Sequence, residues 1–137
     1  MAKAIFEEMI NQDTELQAAG ISAQSAGTLD MDSLEPTEEA IQIMRERGLS
    51  ITGHRSRVVS KEIEEWADII LVMEHKHRHY IATHFPHADR KVALLTEFIG
   101  KDEEVPDPIR CGIETYRECA DLLESLLSVV VENLKAG

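Results

Sequence analysis

The chain has 137 residues, 43% hydrophobic and 29% charged, with a formal net charge of -12. That length suits one domain, residues 1–137, with a single core. No apolar run approaches the roughly 20 residues that span a bilayer, and so acidic a surface argues against nucleic acid, whose phosphates need a basic footprint.

Residues Met1 to about Ala19 place Ala2, Phe6, Met9, Ile10 and Leu16 on one broad face, which predicts a helix closed by Gly20 in a left-handed cap. Ile21 to Thr28 is strand-like but built from Ala, Ser and Gly rather than large β-branched residues. A polar loop from Leu29 to Pro36 carries Asp30, Asp32 and Glu35. Pro36 and Thr37 open a helix with Ala40, Ile41 and Met44 inward, stopped at Gly48. Leu49 to Ser60 runs through Gly53-His54-Arg55-Ser56-Arg57, and Ser60 caps a short helix reaching Glu65.

Ile69 to Met73 is an unbroken apolar run bounded by charge, the habit of a parallel strand buried on both faces. Glu74 to Ile81 continues as a helix ending near Phe85-Pro86, and Lys91 to Leu95 is a second short parallel strand. A charged loop, Phe98 to Glu104, leads to the rigid Val105-Pro106-Asp107-Pro108. From about Ile113 to Leu134 a long helix buries Leu122, Leu123, Leu126, Leu127, Val130 and Leu134. Trp66 and Phe98 are assigned to the core. Strands alternating with helices predict an α/β fold, three-layer α/β/α with a short parallel sheet. Ligands of such sheets bind beyond the carboxyl ends of the strands, here just after Met73. Two cysteines and an acidic, short-apolar start imply free thiols and a cytoplasmic protein.

Six segments then occur in one order: Met1–Phe6 (Met-Ala-Lys-Ala-Ile-Phe), Ser25–Thr28 (Ser-Ala-Gly-Thr), His54–Arg57 (His-Arg-Ser-Arg), Ala67–Glu74 (Ala-Asp-Ile-Ile-Leu-Val-Met-Glu), Lys91–Phe98 (Lys-Val-Ala-Leu-Leu-Thr-Glu-Phe) and Pro106–Pro108. The series resembles the low-molecular-weight protein-tyrosine phosphatases along the whole chain. The resemblance implies a four-stranded parallel sheet with helices on both faces. It implies hydrolysis of phosphotyrosine or another phosphorylated protein side chain through a cysteinyl-phosphate, with no cofactor. In that family a Cys-(five residues)-Arg-Ser/Thr loop follows the first strand and opens the first helix. Loop amides and the Arg hold the phosphoryl oxygens, and an Asp of an Asp-Pro pair protonates the leaving group.

By resemblance Asp107 is the general acid, and Ser25 and His54 brace the phosphate loop, with Arg57 able to pair with nearby carboxylates. The family's aromatic after Asp-Pro is here Ile109-Arg110, which puts aryl phosphate preference in doubt. The larger departure is at the start. The family's first strand and phosphate loop, about fifteen residues, precede the Met-Ala-x-Ala-Ile-Phe helix and have no counterpart in these residues. The expectation is therefore a fold with its first strand absent, lacking nucleophile and phosphate-binding Arg, and without phosphatase turnover. Its two facing strands would close up, or another chain would supply the strand, or the fold would be marginal, and the unpaired edges offer a route to a homo-oligomer.

Cys111-Gly112-Ile113-Glu114-Thr115-Tyr116-Arg117 does satisfy Cys-(five residues)-Arg. Glu114 would sit inside an anion cradle and Glu118 replaces the Ser or Thr, so a turn cysteine and a surface arginine are the preferred reading. Three alternatives stand beside the phosphatase. A non-catalytic scaffold would meet its partner through the open sheet edge. A metal-binding protein would use His75, His77, His79, His84 and His87 with Glu74, although Lys76, Arg78 and Arg90 crowd that segment with positive charge. An arsenate reductase would share fold and loop, but Cys111 and Cys119 stand in the wrong context for its redox thiols.

Overall fold

In this computed structural model, which describes residues 1–29, 32–101 and 103–136, the chain is organised on two short parallel strands. Asp30 of the polar loop lies outside the described residues. The elements in order are α1 (Ala2–Asn11), α2 (Thr14–Ala18), α3 (Glu38–Glu46), α4 (Lys61–Trp66), β1 (Ile70–Val72), α5 (His75–His84), β2 (Val92–Leu94) and α6 (Ile113–Ala136). Ile70 lies opposite Val92, Leu71 opposite Ala93 and Val72 opposite Leu94. Successive strand side chains point to opposite faces. Leu71 and Met73 pack with Ile5, Met44, Leu95 and Leu127, beneath α1, α3 and α6. Ile70 and Val72 pack with Ile81, Ala88, Val92 and Leu94, against α5. Helices therefore cover both faces, the three-layer arrangement expected.

Local chemistry moves several boundaries. The first helix breaks at Gln12 because the Asp13 carboxylate accepts from the amides of Glu15 and Leu16, at 3.0 and 3.1 Å, and restarts the chain as α2. Thr37 and Ser60 cap α3 and α4 in the same way. Ile43, not Ile41, joins Ala40 and Met44 in the core. The α6 stripe runs through Tyr116, Ala120, Leu123, Leu126, Leu127, Val130 and Val131; Leu122 faces out, and Leu134 is only half-buried. The loop expected at Phe98 begins with a 3-10 turn, Glu97–Ile99, with Phe98 half-buried against the core.

Two corrections bear on function. Ile21 to Thr28 is not a strand: Gly27 alone makes a parallel bridge, to Val58, through Gly27 N–H to the Arg57 carbonyl (2.8 Å) and Val59 N–H to the Gly27 carbonyl (2.9 Å). The sheet among the described residues consists of β1 and β2, and the Gly27–Val58 bridge stands outside it. Trp66 is 46% exposed rather than core, standing with exposed Ile69 at the free edge of β1.

Beside that edge α4 is pinned by a buried carboxylate. Glu64, 1% exposed, meets His87 Nε2 at 2.9 Å and Lys91 Nζ at 3.1 Å. Burial pushes its carboxyl up, but the His87 and Lys91 contacts outweigh it and hold it below the usual range. Lys91 also donates to the carbonyls of Glu64 and Ala67, at 2.5 and 2.9 Å, tying the entry of β2 to the end of α4.

Met44 is fully enclosed, so Met44→Ala lowers the unfolding free energy by about 2–5 kcal/mol in a urea titration. Leu122→Ala, on the outward face of α6, costs less than about 1 kcal/mol. Equal losses at the two positions would contradict this orientation of α6.

Candidate functional site

The carboxyl end of β1 is where the Asp107 loop attaches. Val105, buried, donates its amide to the Met73 carbonyl at 2.9 Å, and Pro108, the residue after Asp107, is buried as well. Between these anchors Asp107 is exposed, and its Oδ1 accepts from the Ile109 amide at 3.0 Å. An acid held by both flanks with its carboxyl at the surface is placed to exchange protons with solvent or a ligand.

Asp107 lines a cavity of about 770 Å3 whose wall also includes Ser25, His54, Arg57, Met73 and Cys119. The four sequence-assigned residues are thus gathered from three separate stretches of chain. Their bonds differ in part from expectation. Among the described residues Arg57 pairs with no carboxylate: its Nε donates to the Ser25 carbonyl at 2.9 Å and a terminal nitrogen to Gln24 Oε1 at 2.6 Å. Glu35 pairs with Arg55 instead, at 3.5 Å. Ser25 is held through its carbonyl. The His54 ring stands at the rim, where partial burial pushes its pKa down and the nearby cations of the Met1 ammonium, Lys3, Arg57 and Arg55 push it further.

Sequence reasoning treated Thr37 only as a helix opener and Tyr116 as a member of the Cys111 motif. In the structure Thr37 Oγ1 donates to the Tyr116 hydroxyl at 3.1 Å while accepting from the Ala40 amide at 3.2 Å. This ties the start of α3 to α6 across the cavity wall. The only advance signal was a buried-stripe aromatic carrying a hydroxyl that needs a partner.

The cysteines are placed apart from any amide cradle. Cys111 is exposed in a turn after Arg110, which adopts φ +64°, and Arg117 pairs with Glu46 and Glu114 on the surface of α6. Cys119 does line the Asp107 cavity, but mid-helix, and burial pushes its thiol up. A raised pKa on a helix side is the reverse of an activated thiolate.

The histidines do not converge. His77 Nδ1 accepts from the Glu74 amide at 3.2 Å at the start of α5, His84 stacks on Tyr80, and His87 is taken by Glu64. Among the described residues no group of three His, Cys, Asp or Glu could hold a metal ion.

The structure so far defines a three-layer α/β/α protein with an acid-bearing loop at the strand ends. The family model for low molecular weight phosphotyrosine protein phosphatase matches residues 1–137, and the chain belongs to that family. A protein-arginine-phosphatase of Geobacillus stearothermophilus is 33% identical over 136 residues, covering 98% of this chain and 86% of that protein. The protein-arginine-phosphatase of Bacillus subtilis (strain 168) is 30% identical over 136 residues, covering 98% and 87%. Among solved structures, the YwlE arginine phosphatase, a cysteine-to-serine mutant with its active-site serine phosphorylated, superposes with a TM-score of 0.90 at 29% identity, over 98% of this chain and 86% of that one.

The cationic surroundings of His54 set its titration. An NMR pH titration gives a midpoint below the ordinary value of about 6.5, and Lys3→Gln raises it. Because the unfolded chain takes up a proton first, acidification from about pH 7 lowers the melting temperature of the wild type more than that of His54→Gln. A midpoint at or above the ordinary value would contradict this arrangement.

Proposed function

We propose that this fold serves hydrolysis of phosphorylated protein side chains, with phosphoarginine ahead of phosphotyrosine, and that Asp107 is its general acid. The observation that carries the reading is Asp107 on its doubly anchored loop, sharing one cavity with Ser25, His54 and Arg57. The arginine-phosphatase relatives, which match nearly the whole chain, support the choice of substrate. So does the cavity: Glu7, Glu35 and Glu74 line it, Ile109 occupies the position after Pro108, and carboxylates suit a guanidino group better than a phenol. Free thiols at Cys111 and Cys119 fit a reducing, cytoplasmic setting.

In the proposed reaction a thiolate attacks phosphorus, the P–N bond breaks, and the Asp107 proton passes to the leaving guanidino nitrogen. Water then cleaves the phosphocysteine. Neither Cys111 nor Cys119 can be that thiolate, one lying in a surface turn and the other being a raised thiol on a helix side. Nor do the described residues gather amides and guanidinium groups into a cradle that would offset a net charge of -12 around an anionic phosphate. The nucleophile and cradle therefore come from a strand and Cys-(five residues)-Arg-Ser loop joined to this scaffold, and the chain alone is inactive.

Two constructions test this. The 137-residue chain releases no phosphate from p-nitrophenyl phosphate or a phosphoarginyl peptide, and Cys111→Ser changes nothing. With such a strand and loop joined ahead of Met1, phosphoarginyl peptide is turned over faster than phosphotyrosyl peptide, and Asp107→Asn lowers kcat by about 10²–10⁴-fold. Turnover by the chain alone that vanishes in Cys111→Ser would overturn the reading, as would a joined form indifferent to Asp107→Asn.

A further inference from the structure

The outward side of α6 carries a second pattern that its buried stripe does not use. Thr115, Leu122, Val129 and Ala136 recur every seven residues along the helix. That spacing keeps them on one line, with a drift of about 20° per heptad. Leu122 and Val129 stand 38% and 43% exposed on it. One such side chain in water is ordinary; two on the same line, two turns apart, make a seam.

Three residues beyond Thr115, Leu122 and Val129 stand Glu118, Ser125 and Glu132, all exposed. Among the described residues neither Glu118 nor Glu132 enters an ion pair, whereas Asp121 and Glu124 are held by Arg47, and Glu114 by Arg117. An apolar line thus runs beside carboxylates that the fold itself does not use. Leu122 and Val129 line neither the Asp107 cavity nor a second cavity, of about 340 Å3, between residues 22–28 and 69–73. The seam lies apart from the candidate site.

We infer that this seam is a docking surface for one basic, amphipathic helix of a partner protein. The helix lies along α6 with aliphatic side chains on Leu122 and Val129 and with Lys or Arg on Glu118 and Glu132. A helix is the occupant that matches the spacing, because its own side chains recur at the same interval and drift in step. A strand does not match. Leu122 and Val129 are about 10 Å apart along the helix axis, about three strand residues, and strand residues three apart point to opposite faces. Charge sets the sign of the partner. At -12 the chain draws cations from a distance, and the two uncommitted carboxylates fix where they settle. A second copy of this chain is disfavoured, since it would set Glu118 and Glu132 against carboxylates of its own kind.

The test uses the full chain and a dye-labelled, acetylated and amidated peptide of three heptads, with Leu at positions a and e, Lys at d and g, and Ala elsewhere. Fluorescence anisotropy gives the affinity, and amide chemical-shift mapping gives the place. The inference expects saturable binding that weakens with added salt and shifts the outward residues of α6. It expects a loss of about tenfold or more in the Leu122→Gln/Val129→Gln double variant. A shuffled peptide of the same composition, whose Leu residues share no face, is expected to lose as much on the wild-type chain. No saturable binding, equal affinity for the shuffled peptide or the double variant, or shifts centred outside α6 overturns it. So does a dimer of the chain that the double variant abolishes, because the occupant would then be a second copy. Since neither substituted residue lines the Asp107 cavity, the outcome is independent of the catalytic reading above.

Discussion

A strand has two edges, and β1 uses one of them. Its pairing with β2 turns the backbone of Val72 inward, and the geometry of the peptide unit leaves Leu71 facing the other way. Everything distinctive about this molecule descends from that constraint. The weak segment 22–28 settles for a single bridge to Val58, Trp66 and Ile69 remain at the surface, and a cavity persists between apolar helices that elsewhere pack closely. A buried edge without partners is costly. The Glu64–His87–Lys91 cluster ties α4 to the entry of β2 on one side, and α1 packs with α6 on the other.

Much of this was legible from the residues. The run Ile69–Met73 announced a strand buried on both faces, and its side chains do divide between two cores. Asp107 between prolines announced a fixed loop, and its anchors are buried Val105 and Pro108. What the pattern could not supply were contacts set by distant chain. Asp13 reads as one more polar residue until its carboxylate caps α2. Leu122 fits the helical stripe as well as Leu123 does, and only the position of α3 decides which turns inward. Trp66 reads as a core residue, and that reading fails at an unpaired sheet edge, where the ring is 46% exposed.

The candidate site shows the same division. Ser25, His54, Arg57 and Asp107 were nominated by resemblance, and they line one cavity. Resemblance did not reveal that Arg57 spends its guanidinium on Ser25 and Gln24, nor that Thr37 and Tyr116 brace the wall. Those depend on which oxygens folding brings within reach. Electrostatics bounds the function in turn: with a net charge of -12, phosphate is held only where amides and guanidinium groups converge, and Lys3, Arg55 and Arg57 around His54 provide a positive rim rather than a cradle.

The central claim is that Leu71, on the edge of β1 away from β2, and Ala26, beside the Gly27 bridge to Val58, line one cavity of about 340 Å3 without pairing. Native-state hydrogen exchange on the free chain measures this residue by residue. The account predicts slow exchange at Val72 and Leu95, whose amides lie within the β1–β2 ladder, and fast exchange at Leu71 and Ala26. Protection at Leu71 and Ala26 equal to that at Val72 would mean the walls have closed on each other, and the account would be wrong.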